Sequence, residues 1–143
     1  MQKSKICSDK LEYLGYHISR KGIQPNANKV EAILAIKTPQ TRKQLRGFIG
    51  MVNFYRDMWP RRSELLAPLS AMTSSNIKFE WTKEHEESFS KMKKIMARET
   101  LLAFPDFNKT FEIHTDASKL QLVGIISQEG KPIAFYSRKL NSA

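Results

Sequence analysis

The residues of this chain best placed to do chemistry are Thr115-Asp116-Ala117-Ser118. Asp116 falls at the end of a predicted strand, where a carboxylate can hold a hard cation such as Mg²⁺ through oxygen. Two-metal hydrolysis needs several carboxylates around its ions, and this segment supplies one. Two readings of Asp116 stand open: a metal ligand, or a cap of the turn that follows, which Asp-Ala-Ser also suits. His114 lies two residues back, on the same strand face. It shares with His17 and His85 a lack of ligand spacing, so the histidines read as ordinary surface or core residues. Cys7 is the only cysteine. That excludes an internal disulfide and a Cys-based zinc site. Ser74, Ser75 and Ser118 have no nucleophile-elbow context, and no glycine loop for phosphate is present.

Three strands must position Asp116: 110–115, 122–128 and 132–137, the last two joined by the tight turn Glu129-Gly130-Lys131. Upstream, residues 11–18 are rich in aromatics and β-formers and read as one strand. Ser19 to Gly22 forms a turn, with Gly22 supplying a positive φ. Val30, Ile33 and Leu34 mark an amphipathic helix over 27–37, stopped by Thr38-Pro39. Thr41 and Gln44 form a capping box that opens a second helix, whose apolar stripe is Leu45, Phe48, Ile49 and Val52. Trp59-Pro60 breaks the pattern. Leu65, Leu66, Leu69 and Met72 resume it, and Pro68 predicts a kink or two short pieces. Residues 77–81 are extended. Thr82 caps a further helix, with glutamates early and Lys91, Lys93, Lys94 and Arg98 late, as the macrodipole favours.

The net charge of +10 is unevenly spread. Residues 1–63 hold 13 Lys/Arg against 4 Asp/Glu, whereas 64–143 hold 11 against 10. The basic half is either a solvated surface or a phosphate-facing one, since cations gain by displacing condensed counterions. Lys43, Gly47, Met51 and Phe54 share one face of the 41–58 helix by their spacing. Gly47 and Gly50 each cost about 1 kcal/mol there against alanine. Close approach of another backbone or a nucleic-acid strand would account for them; a core helix with a basic outer face is the alternative. No apolar run approaches the ~18 residues of a membrane span, and no signal peptide is visible. An intracellular setting, in a cytoplasmic particle or the nucleus, is expected.

Over nearly its whole length the chain resembles the polyproteins of Ty3/gypsy-type LTR retrotransposons. The landmarks are Tyr13-Leu14-Gly15-Tyr16-His17-Ile18-Ser19 with Gly22-Ile23-Gln24-Pro25, and Gln44-Leu45-Arg46-Gly47-Phe48-Ile49-Gly50-Met51-Val52-Asn53-Phe54-Tyr55-Arg56. Ala67-Pro68-Leu69, Phe79-Glu80-Trp81-Thr82, Ala103-Phe104-Pro105-Asp106-Phe107 and the Asp116 segment follow in order. The resemblance implies an end of palm over 1–25, with Leu14, Gly15 and Tyr16 as primer grip. It implies a thumb over 26–73, a connection over 74–108 and the start of a ribonuclease H-like domain over 109–143. Lys43, Gly47 and Met51 would track the minor groove of a primer–template duplex, with Arg46, Gly50 and Phe54 beside them. Asp116 would be the first ribonuclease H carboxylate, with Gly124 on the second strand.

The fold class expected is α+β: an N-terminal hairpin, a helical middle and a three-stranded antiparallel sheet. The parent would copy RNA into DNA and cleave RNA–DNA hybrid, with Mg²⁺ as cofactor. Departures from the pattern bear on this chain. No Asp-Asp pair of a polymerase site occurs. The chain ends at Asn141-Ser142-Ala143, ahead of the helix with the next carboxylate. Lys119-Leu120-Gln121 stands where the family more often has an acidic or aromatic residue. The chain alone is therefore expected to bind RNA–DNA hybrid or primer–template duplex without catalysis. The rest of the polyprotein is an expected partner, a membrane is not, and the uncovered sheet edge predicts self-association. Rival readings are a non-enzymatic nucleic-acid-binding remnant and an interaction protein.

Overall fold

The computed structural model describes residues 8–98, 100–118 and 121–140. Cys7, Lys119-Leu120 and the closing Asn141-Ser142-Ala143 lie outside them. Six strands and four α-helices follow in order. β1 (Lys10–Tyr13), β2 (Tyr16–Ser19) and β3 (Gly22–Pro25) form an antiparallel meander, with Leu11 opposite Ile18 and His17 opposite Gln24. The expected single strand over 11–18 is thus two strands, and the hairpin is a three-stranded sheet. The break is a turn at Leu14 (φ 46°) and Gly15 (φ 82°). Positive φ at both central residues matches the twist of the flanking strands, but a leucine there is strained.

Gly22 has φ +137°, and a Cβ on it would meet the Leu102 carbonyl oxygen at 2.1 Å. That approach lets Ile23 and Leu102 exchange backbone hydrogen bonds of 2.8 and 2.9 Å. Gly22→Ala is expected to open this clamp and cost about 1–3 kcal/mol from backbone strain alone. Loss of hydrogen-exchange protection at the Ile23 and Leu102 amides is the check.

The helical middle carries the core. Asn26 caps α1 (Ala27–Leu34), accepting from the Asn28 amide at 3.0 Å. The capping box of α2 (Arg42–Phe54) is present: Gln44 N–H donates to Thr41 Oγ1, and Thr41 N–H to Gln44 Oε1, both 3.2 Å. A short 3-10 helix (Arg56–Met58) leads into α3 (Arg62–Ala71). Pro68 sits inside α3, which nevertheless runs as one helix rather than two pieces. Side chains from α2 brace its far end, where Arg42 Nε donates to the Met72 carbonyl (3.4 Å) and Arg46 Nη2 to that of Thr73 (2.7 Å). Those carbonyls would otherwise lack partners. α4 (Lys83–Met96) starts at Thr82, whose amide donates to His85 Nδ1 at 3.1 Å. Leu45, Phe48 and Val52 of α2 meet Leu66 and Leu69 of α3 and Met92 of α4 in one buried cluster.

The second sheet is β4 (Glu112–Ala117), β5 (Gln121–Gln128) and β6 (Lys131–Lys139), antiparallel in that order. Glu129 (φ 50°) and Gly130 (φ 71°) make its two-residue turn. β6 packs against α3 and the 3-10 helix, while β4 is exposed along its whole length. The α+β architecture expected from the sequence is the one observed.

Candidate nucleic-acid interface

The strongest constellation lies between the β1–β2 turn and α2. Lys43, Arg46, Gly47, Gly50, Met51 and Phe54 are all exposed, while Leu45, Phe48 and Val52 point into the core. Spacings of three, four and seven residues set them on one side of the helix. A Cβ on Gly47 or Gly50 would meet nothing within 4 Å. No neighbouring protein atom therefore explains either glycine. The far end of this face meets Leu14 and Gly15 around an open cavity of about 520 Å³, lined also by Met51 and Phe54. Leu14 is 69% exposed, Phe54 54% and Met51 41%. Leu14 thus joins left-handed backbone strain to exposure beside two exposed apolar side chains, features that make this opening the candidate site.

Tyr16 does not face this opening; it braces it from behind. Its ring stacks on Phe54 with centroids 5.8 Å apart, and its hydroxyl donates to the Phe54 carbonyl at 3.2 Å. Tyr55, 3% exposed, donates its hydroxyl to the Gly15 carbonyl at 2.8 Å. The turn and the end of α2 are thereby locked together. Burial raises the Tyr16 hydroxyl above its ordinary value, helped by Asp57 and opposed by Arg56. Burial, then Tyr16, raises Tyr55. A phenol with a raised folded-state pKa contributes stability that is complete below its ordinary value of 10.0 and is lost as pH rises through the raised value. A fall in melting temperature above pH 10 is expected. Tyr55→Phe should cost about 1 kcal/mol for the lost hydrogen bond and flatten that fall, as melting curves across pH would show.

Arg46 is only partly available, because its Nη2 is engaged with Thr73. Lys29 and Ala32 of α1 also line the cavity. Spacing within one helix gave no signal for them, since only the packing of α1 beside the turn brings them there.

Asp116 is the last residue but one of β4, opposite Val123, as expected near the strand end. Ser118, two residues on, pairs with Gln121: its amide donates to the Gln121 carbonyl (2.9 Å) and its Oγ accepts from the Gln121 amide (3.2 Å). Glu112 and His114 share the face of Asp116, 3.8 Å apart. Gly124 pairs with Thr115 and so lies on the opposite face. Among the described residues no three His, Cys, Asp or Glu side chains cluster to hold a metal. These residues do not make a two-metal Mg²⁺ centre, which needs several carboxylates.

The sequence and the fold have known relatives. Residues 81–143 match the family of the RNase H-like domain found in reverse transcriptase. Those residues are less than half of the chain, which over its length is homologous to the Ty3/gypsy-type retrotransposon polyproteins. It is 35% identical over 142 residues to the retrovirus-related Pol polyprotein from transposon 297 of Drosophila melanogaster, a match covering 99% of this chain and 13% of that polyprotein. It is 30% identical over 146 residues to the transposon Tf2-3 polyprotein of Schizosaccharomyces pombe, covering 99% of this chain and 11% of the other. The chain thus spans a small part of the curated relatives it matches.

Two solved structures of the foamy viral protease-reverse transcriptase superpose with TM-scores of 0.83 at 25% identity, each over 98% of this chain. One is in complex with RNA/DNA hybrid, and the match covers 20% of that chain; the other is with dsDNA, and the match covers 30%. The resemblance carried by the motifs and the α+β fold both hold.

Proposed function

We propose that this chain binds the backbone of a primer–template or RNA–DNA hybrid duplex along the exposed face of α2. Leu14, Gly15 and Tyr16 then act as the grip on a primer end. The observation that carries this is the pair Gly47 and Gly50, which leave a gap among the exposed side chains of α2 that no neighbouring atom fills within 4 Å. Lys43 supplies a cation beside the gap, and phosphate contacts of this kind set position rather than sequence. The foamy viral complexes with RNA/DNA hybrid and dsDNA are consistent with such a partner. Residues 26–73 would serve as thumb, 74–108 as connection and 109–143 as the opening of the ribonuclease H-like domain.

The parent polyprotein would perform RNA-directed DNA synthesis and hybrid cleavage. Mg²⁺ would there stabilise charge on the oxygens of the reacting phosphate. Asp116 is the one residue here that would contribute to holding it. The chain by itself is inactive in this reading. Cleavage of labelled hybrid by the pure protein with Mg²⁺ would overturn that part.

Anisotropy titrations of RNA–DNA hybrid and duplex DNA at several salt concentrations test the binding. Affinity should fall steeply with salt and favour the hybrid. Lys43→Gln should lower the slope of log affinity against log salt by about 0.9, one phosphate contact. A second reading, an interaction protein, draws on the fully exposed edge strand β4. Weak, salt-insensitive duplex binding together with a stable oligomer in sedimentation would favour it.

A further inference from the structure

We propose that a second phosphate-binding site for a nucleic-acid backbone lies between the 3-10 helix, the start of α3 and β6. It rests on the reading that the chain binds nucleic acid and extends the path of the strand beyond α2. The cavity is about 360 Å³. Arg56 and Asp57 line it from the 3-10 helix, Arg62 from α3, and Tyr136, Ser137 and Arg138 from β6. Three guanidinium groups face one carboxylate. That carboxylate, Asp57, is 3.7 Å from Arg56 Nε with both side chains largely exposed, a pairing that neutralises little.

Arg62 is the centre of the site. It donates to Asn53 Oδ1 and to the Ser137 carbonyl (3.5 Å), both uncharged. Its Nε is buried and has no hydrogen-bond partner among the described residues. Burial lowers its pKa, Arg56 lowers it further, and Asp57 opposes. The positive end of α3 adds to the same field, since Arg61 gives no side-chain cap there and the Ser63 amide donates only to the neutral Ser137 Oγ at 3.0 Å. Gathering cations and a helix N-terminus in a half-buried place is unfavourable until an anion arrives. Guanidinium forks suit phosphate oxygens in particular.

Position favours a strand over a free ion. Arg62 is bonded to Asn53, the residue before Phe54 at the end of the α2 face. Arg56 and Asp57 both act on Tyr16, which stacks on that same Phe54. A backbone leaving the α2 face past Phe54 therefore comes to the cavity that Arg56, Arg62 and Arg138 line.

The test is the full chain and its Arg56→Gln/Arg138→Gln variant, which keeps the Arg62 bonds that join α2 to β6. Unchanged melting temperature would show the variant folded. With RNA–DNA hybrid, the variant should show a salt slope lower by about 1.8, two phosphate contacts at about 0.9 each. With inorganic phosphate, the Arg62 Nε–H resonance should shift saturably in the parent and not in the variant. An unchanged slope with the parent still binding overturns this site and leaves the α2 reading intact. A phosphate shift with an unchanged slope marks a pocket for free anion and overturns the assignment to a strand. If the parent binds no duplex, the α2 reading fails and takes this site with it, an outcome visible from the parent's curve alone.

Discussion

Replacing Gly47 and Gly50 together with alanine will make the protein harder to melt and poorer at holding a duplex. Each glycine costs about 1 kcal/mol in a helix interior, and nothing within 4 Å would resist the added methyl groups. The double variant should gain roughly 2 kcal/mol, or about 4–8 °C in melting temperature for a domain of this size. Binding should fall at the same time, because two Cβ atoms now stand where a backbone would lie. Only a ligand-facing role predicts opposite signs for the two measurements. Gains in both stability and affinity would remove the reason for reading this face as a duplex groove.

Phe48→Ala is expected to have the largest effect on stability of any single change considered. Phe48 is fully buried on the opposite side of α2, its ring 4.6 Å from that of Phe89. Deleting such a ring costs about 3–5 kcal/mol from lost transfer energy and the cavity left behind. That is a large share of the roughly 5–15 kcal/mol that holds a typical domain together. The urea midpoint should drop accordingly, or the protein should be unfolded at room temperature. A loss of unfolding free energy under about 1 kcal/mol would mean that α2 does not dock on α4 as described. Met51→Ala, three residues further on the exposed side, provides the contrast: little change in stability is expected there.

Much of this was legible where a local rule decides. The Thr41 and Gln44 box, the Thr82 start of α4 and the Glu129-Gly130 turn depend on residues within four positions of one another. The exposed arc of α2 followed from helical spacing. The Leu14-Gly15 turn did not, because leucine avoids positive φ and Gly15 alone does not break a run of β-formers. Pro68 misled for a similar reason. Its local penalty is real, but Leu66 and Leu69 on either side of it are buried in the core shared with α2 and α4. The Tyr55 bond to Gly15 spans 40 residues and the Arg62 bond to Ser137 spans 75. No window along the sequence brings such pairs together. Asp116 was legible at the end of its strand, but the paired hydrogen bonds of Ser118 with Gln121 depended on the register of β4 with β5.

The clamp between Ile23 and Leu102 has a consequence for how the chain is made. A ribosome adds roughly 5–20 residues per second, so Leu102 is polymerised about 4–16 s after Ile23. In that interval β3 has no partner on its outer edge, and the core helices it will rest on are themselves incomplete. The N-terminal meander therefore waits for this contact until the helical middle has been made. A nascent chain halted before Leu102 should leave this edge open to chaperones and proteases, and one extended past it should not.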